Sequence, residues 1–195
     1  MDTQNIDTPV TTQLLINGEA RDAKDDQTYP IHNPARPSEL VGHAARASEE
    51  DVDAAVKAAH NAFPAWSAAS YGERAALLNE IADELVADEE DVKYRSRLFC
   101  REHGKIIKET LMEMTRLGDR FRSTAAYTER LATDEDIKGP PFDTIITRQP
   151  RGVAALIVPW NWPLSILGAK LPQALMAGNT VVVKPSNSAA LAPSL

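Results

Sequence analysis

The stretch Val153-Ala154-Ala155-Leu156-Ile157-Val158-Pro159-Trp160-Asn161-Trp162-Pro163 decides how the chain is read. Its first part is a continuous apolar run, the pattern of a parallel strand covered on both faces. Pro163 suits the first turn of a helix, where a missing N–H costs no hydrogen bond. That helix is expected to run to about Ala177 and to stop at Gly178-Asn179. Pro172 should bend it, because proline removes a donor and crowds the carbonyl one turn back. Thr180 to Val183 reads as a second buried strand. From Val153 to Lys184 the three pieces cover 32 residues, the size of one βαβ unit.

Upstream the pattern changes. Residues 1–12 read as a disordered or weakly docked arm. Leu14-Leu15-Ile16 leads into Asn17-Gly18, a hairpin signal because both residues tolerate positive φ. Tyr29 to Ala47 carries Pro30, Pro34 and Pro37 and is expected to form short extended pieces joined by turns. Ser48-Glu49-Glu50-Asp51 and Ser70-Tyr71-Gly72-Glu73 each match a capping box at the start of a helix. Helical spacing continues over Glu89–Glu102 and Lys105–Leu131. Thr133–Asp143, with Gly139-Pro140-Pro141, reads as a surface connection, and Asp143–Gln149 as a strand. The divisions expected are an arm over 1–12, a helical and strand region over 13–150, and the start of a parallel α/β domain over 151–195.

Charge sharpens the boundary at Arg151. Of 21 basic side chains only Arg151, Lys170 and Lys184 lie in the last 45 residues, which hold no acidic ones. The first 150 therefore carry 18 basic against 28 acidic groups, a balance of −10. An acidic surface argues against nucleic acid or an anionic membrane as a partner. No run of about 18 apolar residues suggests a spanning helix. The polar start lacks the pattern of a signal peptide, and the one cysteine, Cys100, has no partner for a disulfide. A cytoplasmic protein is the expectation.

Two turns carry the candidate chemistry. Ligands of open α/β sheets bind beyond the carboxyl ends of the strands. Pro159-Trp160-Asn161-Trp162-Pro163 lies at one such end, where the Asn161 amide can donate to a developing oxyanion. The alternative is that Asn161 caps the helix or satisfies its own turn. Lys184-Pro185-Ser186-Asn187 lies at the other end. There Lys184 and Ser186 can meet ribose or phosphate oxygens, and the alternative is a solvated lysine at a strand exit. Neither strand is followed by G-x-G-x-x-G, so the usual phosphate cradle is missing.

Taken together, in order and at this spacing, the motifs resemble the aldehyde dehydrogenase superfamily. The family pattern is Pro-Trp-Asn-Phe-Pro, a Gly-Asn-Thr turn, and a strand ending Lys-Pro-Ser-Glu. Ile16-Asn17-Gly18, Asn33-Pro34-Ala35, Gly104-Lys105 and Gln149-Pro150-Arg151-Gly152-Val153 are similar as well, and the likeness runs from about Leu14 to the last residue. The expected fold class is α/β, with N-terminal helices and a β-hairpin leading into the first βαβ unit of an incomplete Rossmann-like parallel sheet.

The resemblance implies NAD(P)-dependent oxidation of an aldehyde to a carboxylic acid, with a homo-oligomer as the intact family member. Asn161 would then be the side-chain half of the oxyanion hole. Ile157, Val158, Pro159 and Trp160 would line the cofactor cleft, and Lys184, Ser186 and Asn187 would contact the adenosine ribose of NAD or NADP. Lys170 matches a family lysine tied to water and proton handling. Two positions depart from the pattern: Trp162 stands for Phe, and Asn187 stands for a Glu that repels a 2′-phosphate. The family's nucleophilic cysteine and general-base glutamate lie downstream of the matched motifs, so the chain reads as an N-terminal portion. Cys100 is expected to be a small packing residue. No metal site is expected. The alternatives are a non-catalytic nucleotide-binding or oligomerisation module, or the inactive product of an interrupted gene.

Overall fold

The computed structural model describes residues 6–194. Five strands open the chain: β1 (Val10–Thr11), β2 (Leu14–Ile16), β3 (Glu19–Arg21), β4 (Thr28–Asn33) and β5 (Arg36–Ala45). Residues 1–5 of the expected arm lie outside the described residues. Part of the remainder is docked, because β1 pairs in parallel with β5 and Thr12 N donates to His43 O at 3.0 Å. A side chain on Gly42 would run into Val10 O, so glycine is what lets these two backbones meet. The hairpin at Asn17-Gly18 joins antiparallel β2 and β3, with φ of 57° and 77° at the two turn residues. β4 and β5 form a second antiparallel pair whose register shifts near Asn33, where Pro34-Ala35 makes the turn. The proline-rich segment thus gives the expected extended pieces joined by a turn, although the second, β5, runs for ten residues.

Five helices follow: α1 (Glu49–Ala68), α2 (Tyr71–Glu84), α3 (Glu89–His103), α4 (Ile107–Ala125) and α5 (Thr128–Ala132). Both capping boxes form as the sequence predicts, with Ser48 and Asp51 at α1 and Ser70 and Glu73 at α2. Lys105–Leu131 is not one helix, since the chain breaks between α4 and α5. The segment expected to be a plain connection contains β6 (Glu135–Ile137), which pairs antiparallel with β7 (Thr144–Ile146). This hairpin leaves Ile137, Phe142 and Ile145 exposed.

The last part is the expected parallel unit. β8 (Val153–Ile157) is followed by α6 (Pro163–Gly168), α7 (Leu171–Met176) and β9 (Thr180–Lys184). β8 and β9 run parallel, with Val153 opposite Thr180 and Ile157 opposite Lys184. The single bent helix of the sequence reading is two helices. Pro172 has no N–H to donate to Gly168 O, and α6 ends at that glycine. Nor is β8 covered on both faces. Leu156 is buried while Ala155 and Ile157 on the opposite face are exposed, because among the described residues nothing packs over them.

Three apolar clusters hold these pieces. Leu78 and Ala82 of α2 pack with Phe121 and Ala125 of α4 and Met176 of α7. Phe99 of α3, Met114 of α4 and Leu164 of α6 form a second cluster, next to the turn that leaves β8. Ile31, Val41 and Leu98 enclose Leu191 in a third. Polar ties fix the crossover end. Buried Arg74 donates through Nε to Met176 O at 3.0 Å, and Trp66 Nε1 donates to Leu175 O at 3.1 Å. Asn179 Oδ1 accepts from Arg151 N and Gly152 N at 2.7 and 3.2 Å, which docks the start of β8 to the turn before β9.

Leu78 is fully buried and Leu15 is 75% exposed, which sets up a direct contrast. Leu78→Ala should cost about 2–5 kcal/mol of unfolding free energy by removing core contacts and leaving a cavity. Leu15→Ala should stay within about 0.5 kcal/mol, and urea denaturation of the two variants checks both values.

Candidate functional site

The parallel register decides what meets at the carboxyl ends of the strands. Ile157 lies opposite Lys184, and Val158 N donates to Lys184 O at 3.2 Å, which extends the pairing one residue into the turn. The segment Ile157–Asn161 and the segment Lys184–Asn187 therefore leave the same edge side by side. Ile157 is 70% exposed and Trp160 58% exposed, whereas Val158 is buried beneath them. Pro159 and Asn161 are exposed between these anchors. Two large apolar side chains thus face outward beside a polar turn, an arrangement suited to a ligand with a flat apolar part.

On the second turn, Lys184 Nζ donates to Pro185 O at 2.8 Å and reaches Asn187 Oδ1 at 3.4 Å. Among the described residues no carboxylate pairs with it, so its charge is not neutralised. Ser186 Oγ accepts from Ser188 N at 3.3 Å, and its hydroxyl hydrogen is left to donate. The following residues are pinned by Glu102, the penultimate residue of α3. Its buried carboxylate accepts from Leu191 N at 2.6 Å and Ala192 N at 3.0 Å. Burial pushes this carboxyl above the ordinary carboxylate range, against the opposing pull of those amides.

The first turn is held from the same helix end. His103 Nε2 lies 2.6 Å from Trp160 O. A carbonyl only accepts, so Nε2 carries the hydrogen and the ring is the Nε2–H tautomer or the cation. Lys105 Nζ sits 3.6 Å from the centre of the Trp162 ring and forms a buried ion pair with Glu113 of α4. The other oxygen of Glu113 accepts from Ser165 N, in the first turn of α6, at 2.9 Å. Gly104, at φ 80°, makes the sharp exit from α3 that lets His103 and Lys105 reach the same turn.

Asn161 has no such tie. The residue flanking α6 is Trp162, without a side-chain cap, and the Asn161 amide bonds to none of the described residues. The capping alternative for Asn161 thus finds no support in the geometry. Lys170 stands apart from the turn. It is exposed at the break between α6 and α7, and Ala174 N donates to its carbonyl. So the structure groups Ile157, Val158, Pro159, Trp160 and Asn161 with Lys184, Ser186 and Asn187, and leaves Lys170 outside.

Comparison with known proteins now adds the family. The family model described as "Aldehyde dehydrogenase family" matches residues 21–195. The chain belongs to the aldehyde dehydrogenase family. It is 37% identical over 175 residues to an alpha-ketoglutarate semialdehyde dehydrogenase of Haloferax volcanii, covering 89% of this chain and 36% of that protein. An NAD-dependent aldehyde dehydrogenase structure from Sinorhizobium meliloti superposes with a TM-score of 0.85 at 30% identity, over 98% of this chain and 39% of its own. An NADP-dependent enzyme of E. coli gives a TM-score of 0.84 at 31% identity, over 94% of this chain and 37% of its own. The chain thus spans between a third and two fifths of the length of these relatives.

Within this aldehyde dehydrogenase chain, the sequence reading does not assign His103, Lys105 or Glu113 to the site. Glu113 carried a readable signal. It shares a helical stripe with Thr110, Met114, Leu117 and Phe121, where a charge is costly unless paired. Lys105 enters the sequence reading only as part of the Gly104-Lys105 likeness. Only the tertiary contact reveals the bond of His103 to Trp160.

Cys100 is half-buried on α3, and its Sγ donates to Lys105 O at 2.8 Å. Burial raises its pKa above the ordinary thiol value of 9.0, so less thiolate is present at neutral pH than for a free cysteine. Alkylation by iodoacetamide at pH 7, followed by mass spectrometry, should be slower than for a cysteine peptide. The rate should go on climbing with pH past the ordinary thiol value before it levels off. A rate equal to the peptide's at pH 7 would contradict this placement.

Proposed function

We propose that this chain provides the nucleotide cleft and one oxyanion donor for NAD(P)-dependent oxidation of an aldehyde to a carboxylic acid. The observation that carries the reading is the Ile157–Lys184 register, by which the turn bearing the untied Asn161 amide and the turn bearing the unneutralised Lys184 leave the same strand edge. The donor set suits a dinucleotide: exposed Ile157 and Trp160 offer an apolar wall, and Lys184 with Ser186 offers donors to ribose or phosphate oxygens. When bound, NAD(P)+ supplies the hydride acceptor.

The chain's own residues do the rest of what is proposed here. Asn161 Nδ2 donates to the carbonyl oxygen as a thiolate adds to the aldehyde and negative charge builds on that oxygen. A neutral amide does this without titrating, so the stabilisation holds across the working pH range. Lys184 and Ser186 fix the adenosine ribose, and Asn187 lies beside them without the carboxylate that would repel a 2′-phosphate. NADP is therefore accepted alongside NAD. Cys100 is not assigned the nucleophile's role, because its Sγ is engaged by the Lys105 carbonyl just past the end of its own helix. Lys170, exposed at the break between α6 and α7, is kept as a water- and proton-handling group. The exposed Ile137, Phe142 and Ile145 of the β6–β7 hairpin fit an oligomer contact in the complete enzyme.

Calorimetric titration of the chain with NAD+ and NADP+ tests the cleft. Lys184→Ala should weaken both by about tenfold, equivalent to about 1.4 kcal/mol. Asn187→Glu should weaken NADP+ selectively, and equal selectivity in this variant and the wild type would remove the assignment of Asn187. In the complete enzyme, Asn161→Ala should lower kcat by about 10²–10³, with nucleotide affinity unchanged.

A further inference from the structure

We propose that His103, Lys105 and Glu113 are positioning residues that hold the Asn161 turn from both sides. The inference rests on the reading of Asn161 as a donor for its consequence, and on geometry for its existence. The Asn161 amide has no tie of its own among the described residues, so its direction follows from its neighbours. The neighbour before it, Trp160, is fixed through its carbonyl by His103 Nε2 at 2.6 Å. The neighbour after it, Trp162, carries the Lys105 ammonium over its ring at 3.6 Å. Three residues further on, Ser165 N is fixed by Glu113, whose other oxygen pairs with the same Lys105.

The pieces depend on one another. The Glu113 side chain is fully buried and that of Lys105 is 9% exposed, so each charge needs the other. The pair bridges the entry of α4 and the first turn of α6, and the lysine then presents its charge to the indole face, the strongest aromatic acceptor of a cation. Trp162, where the family pattern has Phe, matches this contact. His103 rests edge-on against Phe99, with ring centres 5.5 Å apart, and its Nδ1 is buried without a partner. Nε2 is thus the ring nitrogen with a partner, and that partner is the Trp160 carbonyl. No contact of His103 or Lys105 reaches Asn161 itself, and their effect passes through the backbone.

The test is ¹⁵N relaxation on the ligand-free, full 195-residue chain, read at the Trp160–Trp162 amides and the Asn161 side-chain amide. In wild type the Trp160–Trp162 backbone amides should show order parameters of about 0.85, and in His103→Leu they should fall below about 0.6, with that of the Asn161 side-chain amide falling alongside them. His103→Gln keeps an N–H donor at the same reach and should restore the wild-type values. Lys105→Met combined with Glu113→Gln removes the ion pair without stranding a charge, and should loosen the same amides while the helices elsewhere keep their order. Unchanged order in the Leu variant, or a Gln variant as loose as the Leu variant, overturns the proposal. If the double variant does not fold, the two His103 variants decide alone, since that ring lies at a half-exposed helix end. A parallel NAD+ titration of wild type separates the two readings: absent binding with an ordered turn counts against the proposed function and leaves the clamp standing.

Discussion

The exit of α3, from Glu102 to Lys105, is the constraint on which the site depends. Two turns leave the parallel pair of β8 and β9; the second is closed by its own bond from Ala189 N to Ser186 O at 3.1 Å, whereas the Asn161 turn is held from outside. Glu102 takes two amides beyond the second turn, while His103 and Lys105 take the carbonyl and the ring that flank Asn161. Gly104, with its positive φ, lets consecutive residues serve opposite sides. A side chain there would strain the backbone and press on Pro34. One helix end thereby ties the turn after β8 to the segment that follows the turn after β9.

This division of labour explains why charged groups are buried in an otherwise ordinary core. Glu102 and Glu113 each lie almost wholly out of solvent. Both accept backbone N–H groups at the beginnings of helical turns, where a carboxylate meets unsatisfied donors. Glu102 does so without a cationic partner and titrates above its usual range, whereas Glu113 carries Lys105 with it. The cost of burying these carboxylates is offset by fixing loops that apolar packing alone would leave free to slide.

Much of the fold was legible because it rests on local chemistry. Asn17-Gly18 specifies its hairpin through positive φ, and Ser48 and Ser70 specify helix starts through capping boxes. The parallel strands follow from apolar runs, and the family from motifs on both turns. Other features depended on tertiary context. Periodicity cannot see that Pro172 splits the crossover helix instead of bending it, since either outcome relieves the missing Gly168 bond. The acidic stretch after Thr133 gives no strand signal, and β6 forms only because β7 comes back to pair with it. The strand-end positions of the residues proposed for the site could be read from sequence, while the place of His103 could not, because its bond to Trp160 spans 57 positions.

The central claim is that the turns after β8 and β9 form one ligand site at a shared strand edge. Hydrogen–deuterium exchange of the chain with and without saturating NADP+ tests it most directly. The account predicts added protection confined to residues 157–162 and 184–188, rising in both segments together as ligand is added. Protection at only one of the two turns, or only at a distant surface such as the β6–β7 hairpin, would contradict it.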